Sequence, residues 1–110
     1  MGSTAQQAPG ITRIDLQEQD TSIPGRRVVQ NRVQITPEAP PFKHFHFGEE
    51  IIYVLEGELE YQIEGEPART VKAGEALMIP AKAVHAVNGD GAELATYVVE
   101  EGKPLITLVE

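Results

Sequence analysis

Glu58-Leu59-Glu60-Tyr61-Gln62-Ile63-Glu64 alternates polar and apolar without a miss. That period of two is the mark of a β-strand with one face buried and the other in water. Gly57-Glu58 and Gly65-Glu66-Pro67 punctuate its two ends. Just upstream, Ile51-Ile52-Tyr53-Val54-Leu55 is apolar on both faces, rich in β-branched and aromatic residues, and too short for a helix. It reads as a strand covered on both sides. Further strands are expected over 26–35, 68–72, 76–79, 85–87, 93–99 and 105–109. Turns separate them at Pro24-Gly25, Ala73-Gly74 and Pro80, with a hairpin loop at Gly89-Asp90-Gly91. No segment carries a helical period. Many short strands at this spacing define an all-β fold, a sandwich or barrel of the jelly-roll kind.

A chain of 110 residues that is 41% hydrophobic holds enough apolar material for one core. Residues 1–10 are small and polar and are expected to be a disordered tail, with 11–110 forming a single domain. The balance of 17 acidic against 9 basic residues, a formal charge of −8, excludes the clustered Lys and Arg of a nucleic-acid footprint. It disfavours an anionic membrane surface for the same reason, and no window approaches the roughly 20 apolar residues of a membrane span. With no cysteine there is no disulfide and no thiolate ligand, so any metal must be held by nitrogen and oxygen. The first ten residues lack the apolar centre of a signal peptide. The compartment stays open: cytoplasmic for the sequence as written, exported if a signal peptide preceded Met1-Gly2-Ser3 and was removed.

Chemistry concentrates in His44-Phe45-His46-Phe47-Gly48-Glu49-Glu50, answered later by His85; these are the chain's three histidines. On a strand over 43–47, side chains at i and i+2 share a face. His44 and His46 then reach one point, while Phe45 and Phe47 face away. A carboxylate follows at a spacing that one metal ion can use, and iron, manganese, nickel, zinc and copper all accept imidazole and carboxylate. Taken alone, His85 in Ala83-Val84-His85-Ala86-Val87 is an ordinary core histidine. No Ser-His-Asp set remains once the histidines are assigned.

His44-x-His46-x-x-x-Glu50, six residues and then Gly57 resembles the first motif of the cupin family. Gly74, five residues, Pro80 and then His85 resembles the second. The resemblance spans 44–85, with strand patterns on either side. It implies a cupin-type jelly-roll β-barrel and one divalent transition metal (iron, manganese, nickel, zinc or copper) bound by His44, His46, Glu50 and His85. Three positions depart from the family pattern: Glu38 and Lys82 stand where a glycine is expected, and Asn88 comes one residue early. All three shape turns, and Lys82 needs another turn type if the family's glycine has positive φ.

Three imidazoles and a carboxylate on a six-coordinate ion leave two positions for water, substrate or dioxygen. The expected function is therefore a small metal-dependent enzyme, an oxygenase or lyase, acting on a modest organic substrate. Glu50 is the ligand most able to loosen and serve as general base. The competing expectations are a non-catalytic module that senses a small ligand, and a closed structural metal site. Phe42, Phe47, Tyr53, Met78 and Tyr97 are candidates for a pocket wall, and Arg26-Arg27 for an anion contact or a solvated strand start. Glu49 is expected in solvent. Ile51, Tyr53 and Leu55 lie opposite Ile52 and Val54, and a small barrel cannot cover both faces alone. A homodimer is expected there, in line with other small cupins.

Overall fold

The computed structural model of the chain describes residues 8–109. Among the described residues there is no helix, and eight strands pair into one sheet that curls over on itself. They are β1 (Ile11–Asp20), β2 (Arg26–Ile35), β3 (His44–Phe45), β4 (Gly48–Ile63), β5 (Arg69–Lys72), β6 (Ala76–Ile79), β7 (His85–Glu100) and β8 (Thr107–Leu108). The fold is the all-β jelly-roll barrel that the sequence pattern predicts.

β4 and β7 run 16 residues each and pair antiparallel from Gly48↔Val99 to Ile63↔His85. Along the first half of β4 the order is β1-β2-β7-β4-β6. Along its second half the order becomes β5-β4-β7-β3-β8. The two strands thus belong to both layers, and the layers meet where they bend. A bulge between Val54 and Glu56 precedes Gly57, which pairs with Gly91. A Cβ on Gly57 would sit 2.0 Å from the Asp90 carbonyl oxygen, and one on Gly91 2.3 Å from that of Glu56. Gly57 also has φ +70°. Only glycine permits this approach.

The core fills the space between the layers. Val33, Ile35, Ile52 and Val54 from one layer meet Leu59, Tyr61 and Val71 from the other, all at most 2% exposed. Burial of each large aliphatic side chain contributes about 1.5–3 kcal/mol. The predicted alternation is realised: Leu59 and Tyr61 are buried while Glu58, Gln62 and Glu64 are exposed.

Several expectations change. Gly89-Asp90-Gly91 is no hairpin loop but the bend of β7, paired against Gly57–Leu59. Glycines mark a turn and a close backbone crossing alike, and here they serve the crossing. For the same reason β4 runs on through Gly57 rather than ending there. The expected strand over 43–47 shrinks to His44–Phe45, and that over 105–109 to Thr107–Leu108. β1 lay hidden because most of it is exposed on both faces, which leaves no apolar alternation. Ile51-Leu55 is covered on one side only within the chain: Ile52 and Val54 are buried, Ile51, Tyr53 and Leu55 are 38–46% exposed. Residues 1–7 of the expected tail lie outside the described residues. Ala8 and Gly10 are tied in by carbonyls that accept from Ile11 and Thr36 N–H, both at 2.9 Å.

The bend generates a contrast. Gly57→Ala should destabilise the protein by about 3 kcal/mol or more, since strain at positive φ adds to a backbone clash. Gly65→Ala, at φ +88° but in open space, should cost about 1–2 kcal/mol. Urea denaturation of both variants checks the difference.

Candidate metal centre

His44 on β3 pairs directly with His85 at the start of β7. After Phe45 the chain leaves the ladder, and His46 falls in the short link before β4. That link is drawn tight against β7, where a Cβ on Gly48 would lie 1.8 Å from the Val98 carbonyl oxygen. Glu50 then follows on the buried face of β4, between Ile79 of β6 and Tyr97 of β7. The turn before His85 is joined to the same link, because Lys82 N–H donates to the His46 carbonyl at 2.9 Å. Lys82 has φ +65°. It adopts the left-handed conformation that a glycine would take without strain.

The ligand atoms of His44, His46 and His85 all lie within 4.8 Å of one another. Each ring is aimed by a backbone carbonyl that accepts from its Nδ1–H: Phe42 for His44 at 3.0 Å, Leu105 for His46 at 2.7 Å, Ala83 for His85 at 2.9 Å. A carbonyl can only accept, so Nδ1 carries the proton, and a neutral ring presents a bare Nε2. This is the outer-shell arrangement that metal-binding histidines use. Glu50 Oε1 lies 3.1 Å from His46 Nε2 and 3.2 Å from His85 Nε2. Yet the buried His46 Nε2 has no well-directed hydrogen bond. Lone pairs and a carboxylate oxygen at such distances repel unless a cation lies among them, and the donor set fits a metal ion.

The protonation energetics agree. Burial, then the neighbouring His85, lowers the His44 pKa to about 4. Burial would raise Glu50, but the adjoining His46 and His85 outweigh it and hold the carboxylate well below the usual range. Burial would lower His85, and here the hydrogen bond to Glu50 and its charge prevail, so His85 is raised. Without a metal, the Glu50 charge therefore favours a proton on His85.

The centre opens on a cavity of about 240 Å³ whose wall includes His44, Glu50 and His85. Of the proposed wall residues Phe42 and Tyr97 line it, and the Tyr97 ring meets the His46 ring edge-on at 4.7 Å. Tyr53 and Met78 point outward instead, and Phe47 packs on Phe45 at 5.3 Å. Arg26 donates to the Phe47 carbonyl, and Arg27 pairs with Asp20 at 2.8 Å, so neither faces the cavity. Glu49 is half-buried rather than fully solvated.

Sequence reasoning missed the polar group on the cavity's wall: Arg13, Tyr61 and Glu93. Tyr61 O–H donates to Glu93 across the two layers. Burial, then the Glu50 charge, raises the Glu93 pKa to about 8. A signal existed, since Glu93 is in phase with the inward residues Ala95, Tyr97 and Val99.

The chain belongs to the cupin family: the family's model, described as Cupin domain, matches residues 31–101. No curated protein sequence matches the chain. Among solved structures it is similar to KdgF from Halomonas sp., at 22% identity and TM-score 0.68, over 92% of this chain and 89% of that one. It is similar to the polyketide cyclase RemF from Streptomyces resistomycificus, at 28% identity and TM-score 0.69, over 96% and 77%. A third is the DMSP lyase DddQ from Ruegeria pomeroyi, at 24% identity and TM-score 0.65, where 74% of this chain spans 43% of the other.

Glu93 predicts a pH effect. In the unfolded chain it loses its proton near the ordinary value of 4.5, in the folded chain only at about 8. The folded state therefore binds more protons between those values, and Glu93's contribution to stability is lost as pH rises through that window. Glu93→Gln keeps an acceptor for Tyr61 and removes the titration. The melting temperature of Glu93→Gln minus that of wild type, both metal-free, should increase from pH 5 to pH 8.

Proposed function

We propose that this cupin is a metal-dependent enzyme of the lyase or oxygenase type, working on a small organic substrate through one ion held by His44, His46, Glu50 and His85. One observation carries the reading: three of these four residues form part of the cavity wall. A site that only staples the barrel would be closed by its ligands, whereas here a molecule in the cavity would meet the ion directly. The names of the similar proteins DddQ and RemF, a lyase and a cyclase, support chemistry in such a barrel.

A divalent ion there would act as a Lewis acid on a substrate oxygen or lower the pKa of a bound water. The protein's own residues do the rest. The three carbonyl-anchored imidazoles hold their Nε2 atoms in place, so little rearrangement accompanies binding. Glu50 is kept ionised by the imidazoles and supplies an oxygen donor, and only on loosening from them does it regain the basicity to accept a proton from substrate. Ile52, Ile79 and Val87 give the cavity an apolar lining, and apolar surroundings strengthen interactions with charge that develops there.

Purified protein should hold about one divalent ion per chain, and His44→Ala or His85→Ala should remove most of it, as read by elemental mass spectrometry. Glu50→Gln keeps an oxygen donor and should retain appreciable metal while losing most turnover. Wild-type protein that stays empty after incubation with iron, manganese, nickel and zinc would refute the reading. A metal-loaded form that turns over no compound in a lyase and oxygenase substrate panel would favour a binding module.

The same proposal includes a two-fold dimer through the outer face of the β1-β2-β7-β4-β6 layer. Ile14, Leu16, Ile51, Tyr53, Leu55 and Met78 are 38–56% exposed there. Register aligns Ile14, Arg32, Leu94 and Tyr53 in one row, and Gln17, Gln30, Thr96, Ile51 and Met78 in the next. The polar members are already satisfied: Gln17 donates to Gln30 and Gln30 to Thr96, each at 3.1 Å, and Arg32 pairs with Glu56 at 3.1 Å. A second copy could cover this face without stranding a polar group. Light scattering should give a dimer for wild type and a monomer for Tyr53→Glu.

A further inference from the structure

We propose that Arg13 selects the substrate, taking the carboxylate of a small organic acid whose other end sits at the metal centre. The inference rests on the metal-centre reading above.

Arg13 is the one Lys or Arg among the residues that line the cavity, in a chain whose formal charge is −8. A guanidinium cannot shed its proton to relieve burial. The fold holds it in place from one side. Nη1 donates to the Tyr97 hydroxyl at 3.2 Å. In the amide orientation that gives both of its ends a partner, buried Asn31 also accepts from Nη1 at 3.2 Å, while its own nitrogen donates to Asp15 and to the Gln30 carbonyl. Arg13 Nε, by contrast, is buried with no acceptor. A fixed cation on the largely apolar wall of a cavity is a site for an anion, and a carboxylate matches the guanidinium fork.

Tyr97 links this site to the centre. Its ring lies against His46, its backbone pairs with Glu50, and its hydroxyl meets Arg13. One aromatic ring therefore separates the ligand cluster from the guanidinium. The cavity, about 240 Å³, is below the roughly 300–1,000 Å³ typical of drug-sized ligands. The substrate is a short molecule with oxygen donors for the ion at one end and a carboxylate at the other.

A competing role for Arg13 is simple charge compensation of Glu93, which occupies the same register row with Val33 between them. Glu93 is already hydrogen-bonded from the opposite layer by Tyr61. The experiment separates the two roles.

The full chain, loaded with cobalt(II), is titrated with 2-oxo diacids of four, five and six carbons and with 2-oxo monoacids of matching length. The cobalt visible spectrum reports binding. At least one diacid should bind about tenfold or more tightly than its matched monoacid, the scale of one charge-assisted contact. Arg13→Met should erase that preference and leave monoacid affinity within about twofold, and Arg13→Lys should keep part of it. If Arg13→Met does not fold, Arg13→Lys decides, since its ammonium is a point charge that cannot reproduce the planar fork and must weaken the preference. A diacid preference absent from wild type, or intact in both variants, overturns the proposal. So does an Arg13→Met protein whose loss of stability is restored by Glu93→Gln while the preference persists. Monoacids that shift the spectrum with no diacid advantage refute Arg13 alone, whereas a chain that takes up no cobalt refutes the metal centre and this inference together.

Discussion

The paired run of β4 and β7 holds the molecule together. Each strand contributes to both layers, so the crossing at Gly57 and Gly91 sets the angle between them. Much of the chemistry hangs from these two strands: Glu50, Tyr61, His85, Glu93 and Tyr97 lie on them, while His44 sits on β3 and Arg13 on β1. A backbone crossing this close leaves no room for a Cβ, and a shift at the bend would move residues of both layers at once. The geometry of the cavity is thus set in part by two glycines that do not line it.

The interior between the layers is unusual in how much charge it holds. Glu50, Glu93, His46 and His85 are each no more than 4% exposed. Buried ionisable groups persist only when paired or hydrogen-bonded, and the structure supplies most of the partners, His46 Nε2 and Arg13 Nε being left without one. Carbonyls aim the imidazoles, the imidazoles hold Glu50, and Tyr61 caps Glu93. The two carboxylates end up with opposite tendencies in one cavity: Glu50 resists a proton and Glu93 retains one. A pair of acids pushed apart in this way is a common feature of acid–base sites.

Much of this was legible in the chain. Alternation over 58–64 and the apolar run over 51–55 gave the two halves of β4, because side-chain phase in a strand is read straight from sequence. The convergence of His44, His46 and His85 was also readable, since the spacing recurs as a motif and the chain has no other histidine. The continuity of β4 through Gly57 and of β7 through Gly89–Gly91 was not, because a glycine at a crossing looks the same as one at a turn. Arg13 escaped notice because it sits on a strand whose neighbours are mostly exposed. Its partners, Tyr97 and Asn31, are distant in sequence, and only register brings them together. Lys82 shows the reverse case, a residue type that argued for a changed turn while the backbone kept the left-handed form.

The pairing pattern also has a kinetic consequence. Arg26 is matched with Glu100, and Gly48 with Val99, so the central ladders close loops of about two thirds and about half of the chain's length. Chains dominated by such non-local contacts fold slowly, on the order of milliseconds to seconds, because loop entropy must be lost before contacts repay it. His44, His46 and Glu50 are neighbours in sequence, but His85 joins them only when β3 docks on β7. The complete donor set is therefore a late product of folding. A free ion would meet all three imidazoles only in a barrel that has already closed.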